Sequence, residues 1–70
     1  MKQLTANMAG IIVQILVKPG DIVNDGMEVV ILESMKMQIP MTANVAGKVS
    51  KIHVAIDDFV NEGDLILTLE

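Results

Sequence analysis

The apolar positions of this chain fall in short runs broken by Gly, Asn and Asp, and no run sustains a 3.6-residue period. From Gly10 an apolar stretch continues to Val17. A polar turn with Asn24-Asp25-Gly26 follows, and a second apolar stretch ends at Glu33. The pattern then returns: Gly47 opens a stretch to Val54, Asn61-Glu62-Gly63 makes the turn, and the last run ends at Glu70. Each half reads as strand, turn, strand. Gly26 and Gly63 are expected at positive φ, which a side chain would penalise, and Pro19 holds φ in the loop before the first turn.

The return is an internal duplication. A shift of 37 positions lays residues 5–33 over 42–70 without a gap, with 13 identities in 29 pairs, among them Thr5/Thr42, Asn7/Asn44, Gly10/Gly47, Asp21/Asp58, Gly26/Gly63 and Glu33/Glu70. One copy buries too little apolar surface to stand alone, so the two are expected to pack about an approximate two-fold axis. Ile12, Ile15 and Val17 match Val49, Ile52 and Val54, a spacing of three and then two. Strict alternation would be two throughout, so the extra residue predicts a bulge at the same place in both copies. Val17 and Val54 are expected as a core pair.

Composition narrows the class. Seventy residues, 51% of them hydrophobic, with one aromatic (Phe59) and no Cys, make a single domain over 1–70 with an aliphatic core and neither disulfide nor thiolate chemistry. The abundance of Val and Ile favours strands. Nine acids against five scattered lysines, with no Arg, exclude a phosphate-binding surface, so no nucleic-acid partner is expected. No run approaches the roughly 20 apolar residues of a membrane helix and no signal segment is evident, so the chain is expected to be soluble and cytoplasmic.

Between the copies lies ESMKMQIP, residues 33–40, where Lys36 stands between Met35 and Met37. A hairpin lysine can serve only to solvate a turn or to deter edge pairing. The methionines favour more, because large apolar residues at a tip forgo burial. The two-fold places the free termini where the other half has this hairpin. Lys36 should therefore project from the pole opposite Met1 and Glu70.

The segment ESMKMQ, together with GDIVNDG (20–26) and DDFVNEG (57–63), resembles the biotinyl/lipoyl attachment domain family over nearly the whole chain, in the manner of a stand-alone biotin carboxyl carrier. The resemblance implies an all-β flattened barrel, or sandwich of two four-stranded antiparallel sheets, with repeats at about 5–33 and 42–70 and an attachment hairpin at about 34–38. It implies covalent biotin on Lys36, added by a biotin protein ligase that reads Met35 and Met37. The biotin would shuttle a carboxyl group from a biotin carboxylase to a carboxyltransferase, both expected on separate chains, so the domain is a carrier and not an enzyme. Ser34 stands where the family motif commonly has Ala, Ala6-Asn7-Met8-Ala9 replaces a proline-bearing segment, and Asp57 replaces a Gly. The short link from Val17 to Met27 leaves no room for the protruding thumb of some acetyl-CoA carboxylase carriers.

Two other readings stay open: a lipoyl carrier for acyl or aminomethyl transfer, against which Met35 stands because lipoyl domains typically carry Asp there, and an unmodified interaction module. Glu33 reads either as a solvated edge charge, since Glu70 repeats it where no lysine follows, or as a ligase contact. Ser34, Ser50 and His53 form no recognisable nucleophile and base set, and His53 with the scattered acids has no metal-ligand spacing.

Overall fold

The computed structural model describes residues 2–70, which form eight strands and no helix. These are β1 (Lys2–Thr5), β2 (Gly10–Ile15), β3 (Ile22–Val23), β4 (Glu28–Ser34), β5 (Met37–Thr42), β6 (Gly47–Ile52), β7 (Phe59–Val60) and β8 (Leu65–Leu69). They build two four-stranded antiparallel sheets, in the orders β1-β8-β6-β3 and β5-β4-β2-β7. Shifting each strand of one sheet by 37 residues generates the other sheet in the same order, so the duplicated halves exchange strands rather than each forming its own layer.

The equivalence extends to irregularities. In β2 the pairing steps from Ile12↔Leu32 to Gln14↔Ile31, leaving Val13 as an extra residue. In β6 it steps from Val49↔Leu69 to Lys51↔Thr68, leaving Ser50 extra at the matching position. These are the bulges that the three-then-two spacing predicts. The loops match as well: Gly20 N–H donates to Val49 O at 2.8 Å, and Asp57 N–H donates to Ile12 O at 2.7 Å. The exchange of Gly for Asp therefore leaves the loop path intact. It holds Asp57 at φ 78°, where Gly20 has φ 96°. Gly26 and Gly63 adopt φ 87° and 92°, as their turns require.

The core lies between the sheets and is almost wholly aliphatic. Every buried apolar residue except Val17 has a buried mate in the other copy, as in Leu4/Met41, Ile12/Val49, Val23/Val60 and Leu32/Leu69. The expected pair Val17/Val54 is corrected here: Val17 is buried, whereas Val54 is only half-buried at the core's margin. The backbone is duplicated but the flanking side chains are not, since Lys18-Pro19 in one copy is Ala55-Ile56 in the other. Gly10 and Gly47 are required for a steric reason. A Cβ would stand 2.9 Å from Glu33 O in one case and 2.7 Å from Glu70 O in the other.

The domain measures 32 × 19 × 18 Å. Val60 pairs with Gly10, which abuts Glu33 at the hairpin end, so β8 leaves the following turn there and runs away from it. Lys2 and Glu70 accordingly end at the pole opposite the β4–β5 hairpin; Met1 lies outside the described residues.

Candidate functional site

Register makes the hairpin. Val30 pairs with Met41 and Leu32 with Ile39, and burial of Val30, Leu32 and Met41 pins β4 against β5, because a one-residue slip of either strand would turn its buried side chains to solvent. Pro40 is tolerated because β5 is the outermost strand of its sheet. With that register Ser34 pairs with Met37, and only Met35 and Lys36 remain to reverse the chain.

Both have positive φ, 53° at Met35 and 65° at Lys36. A two-residue loop with φ > 0 at both positions is the type I′ geometry, whose twist suits a β-hairpin and which normally selects Asn-Gly. Two long side chains held there are strained, at about 1–2 kcal/mol per left-handed residue. Neither recovers that cost by packing: Met35 is 92% exposed, Met37 is 63% exposed, and Lys36 is exposed. Among the described residues no side-chain hydrogen bond reaches the tip. The tip thus offers a primary amine to solvent on a rigid hairpin, with an apolar side chain on either side.

Glu33 is exposed on the outer face of its sheet, paired with Gln38 on one side and Ile11 on the other. Its repeat mate Glu70 closes the opposite pole, where its N–H donates to Lys48 O at 2.8 Å. His53 lies in the other half and follows a strand of the other sheet, with its Nε2 2.8 Å from Thr68 Oγ1. A groove between edge strands β1 and β5 is lined by the symmetric pairs Leu4/Met41, Thr5/Thr42 and Asn7/Asn44 together with Gln3. It is a product of the two-fold and includes none of residues 33–38 at the hairpin tip.

The sequence pattern singled out Lys36 and its methionines but missed the positive φ at Met35 and Lys36. The available signal was the loop length, since burial periodicity in β4 and β5 leaves just two residues between the strands. It also missed that Ile11 and Phe59, 40% and 63% exposed, pair with each other beside Glu33.

The biotin/lipoyl family profile, described as "Biotin-requiring enzyme", matches residues 2–69. The mitochondrial propionyl-CoA carboxylase alpha chains of Mus musculus and Sus scrofa are each 48% identical over 38 residues, 54% of this chain and 5% of theirs. Among solved structures, the urea carboxylase of Kluyveromyces lactis matches with a TM-score of 0.90 at 32% identity, covering 99% of this chain and 6% of that one. A single-chain, multi-domain long-chain acyl-CoA carboxylase matches with a TM-score of 0.85, also at 32% identity, covering 94% and 6%. The chain spans only 5–6% of the length of these relatives. A profile match across residues 2–69, on two four-stranded sheets that present a lysine hairpin, establishes that this chain belongs to the biotin/lipoyl attachment domain family.

Proposed function

We propose that this chain is a biotin carboxyl carrier, with biotin joined through an amide to Nζ of Lys36. The observation that carries the reading is the strained and exposed Met35-Lys36 tip. Neither packing nor turn chemistry accounts for two long side chains in left-handed conformation at a place where Asn-Gly would fold better. Strain of this kind persists where a function needs the side chains concerned.

The tip suits the chemistry. Attachment begins with loss of a proton from the Lys36 ammonium; Nζ then forms a C–N bond with the carboxyl carbon of a biotinyl adenylate, the C–O bond to AMP breaks, and AMP and the second N–H proton leave. Lys36 becomes a neutral amide, and in its exposed position the lost charge leaves no buried partner behind. Bound biotin would carry carboxylate from a biotin carboxylase to a carboxyltransferase. The domain's contribution is positional: a stiff hairpin and a long stem raise the local concentration of the group at each active site in turn. Met35 and Met37 offer the ligase apolar, adaptable side chains on either side of the target amine. The relatives support biotin over lipoate because the matched chains named above are carboxylases.

Intact mass of the protein from cells that supply its own ligase tests the reading. A biotinyl increment on the wild type, absent from Lys36→Arg, is the expected result. A lipoyl increment would move the protein to acyl or aminomethyl transfer, and an unmodified wild type would make it an interaction module.

A further inference from the structure

The two sheets share a backbone plan but not an outer surface. In the hairpin's sheet one cross-strand row, Gln38–Glu33–Ile11–Phe59, spans all four strands. The equivalent positions in the other sheet are Glu70, Lys48 and Ile22, with Met1 outside the described residues. Deeper on the same faces, Ile31 and Leu16 correspond to Thr68 and His53, which bond to one another. The two faces thus differ at two exposed positions, where Lys48 and His53 stand in one sheet and Ile11 and Leu16, 40% and 38% exposed, stand in the other; at the third both are apolar, Ile22 and Phe59 being 62% and 63% exposed.

Charge divides in the same way. The strands of the hairpin's sheet carry Glu28 and Glu33 and no lysine; those of the other carry Lys2, Lys48 and Lys51 and no acid. Asp57 and Asp58 lie in the turn that leads into Phe59. Folding does not require an apolar residue at positions 11 and 16, since the duplicate positions accept Lys48 and His53 on an equivalent backbone; Ile11 therefore gives Phe59 an exposed apolar neighbour where Ile22 has Lys48, and adjacent exposed apolar side chains with a charged border mark a binding surface.

We propose that the face formed by Ile11 and Phe59, bordered by Glu33, is where the enzyme that acylates Lys36 docks, through an apolar patch of its own ringed by basic side chains. The proposal rests on the carrier reading. The row is continuous with the tip: Glu33 is three residues before Lys36, and Ile11 and Phe59 are its first and second neighbours across the sheet. Reach selects the ligase over the carboxylase components. Before modification only the lysine side chain extends from the domain, so the acylating enzyme must come onto the body of the sheet. Once biotin is attached, the longer arm lets later enzymes act without that contact.

The test is steady-state biotinylation of the purified chain by biotin protein ligase from the same organism, with ATP and biotin. It compares wild type, Phe59→Ser, Ile11→Lys and Ile22→Ser, with far-UV circular dichroism as the check on folding. Ile11→Lys installs the residue its repeat mate already holds and so keeps the fold even if Phe59→Ser does not. A KM for the domain raised about tenfold with kcat unchanged in Ile11→Lys and Phe59→Ser, and unchanged values in Ile22→Ser, is expected for a lost docking contact. Unchanged KM in Ile11→Lys, or an equal rise in Ile22→Ser, overturns the docking face while leaving the carrier reading intact. A folded wild type that the ligase does not modify removes both.

Discussion

Replacing the Met35-Lys36 tip by Asn-Gly should make the domain more stable while destroying its modification site. Lys36 holds φ 65° and Met35 φ 53°, and both side chains are exposed, so burial does not compensate. Left-handed conformation costs about 1–2 kcal/mol for an ordinary residue, which Gly at position 36 would remove. Gly also gives the unfolded chain more freedom, offsetting about 0.4–1 kcal/mol of that gain. Asn at position 35 tolerates the conformation better than Met and adds a smaller increment. The net gain is about 1 kcal/mol, equivalent to a rise in Tm of about 4–8 °C for a domain of this size. Thermal unfolding followed by circular dichroism measures it directly. Lys36→Arg is the control: it keeps a long side chain at the same φ, so its Tm should match wild type although modification is lost. A double variant with unchanged or lowered Tm would refute the idea that the tip is strained, and with it the main argument that its residues were retained for function.

Two further outcomes follow from the repeat. Val17→Ala should cost about 1.5–3 kcal/mol in urea unfolding and Val54→Ala about half as much, because the first is buried and the second lies half-exposed at the margin; equal losses would contradict that asymmetry. Asp57→Gly should gain about 0.5–1 kcal/mol and Gly20→Asp lose a similar amount, since a side chain at Gly20 would meet no atom within 4 Å and the difference is therefore one of backbone conformation; a loss on Asp57→Gly would show that its side chain contributes something the loop needs.

Much of the fold was legible because the chain states it twice. A pattern that recurs in register with the same glycines must place the same backbone in two settings, so strands, turns and even the bulges at Val13 and Ser50 could be read from the 37-residue offset. The half-burial of Val54 was not legible, because duplication governs the backbone, while cover over a side chain comes from neighbours that have diverged. Lys36 stood out through its neighbours, since a lysine suits any solvated turn whereas two methionines beside a tip forgo burial.

The sequence alone determined that two apolar, twice-turned segments must pack on each other and that Lys36 lies at their junction, since both follow from periodicity and chain order, which are local. Tertiary structure decided which strands share a sheet, and so which side chains meet. Ile11, Glu33, Gln38 and Phe59 are scattered along the chain and become one row only when β2 pairs with both β4 and β7. It also decided the strain at the tip. The positive φ of Met35 and Lys36 is imposed by a register that buried Val30, Leu32 and Met41 hold in place, and core packing is strong enough to force two unsuited residues into the turn.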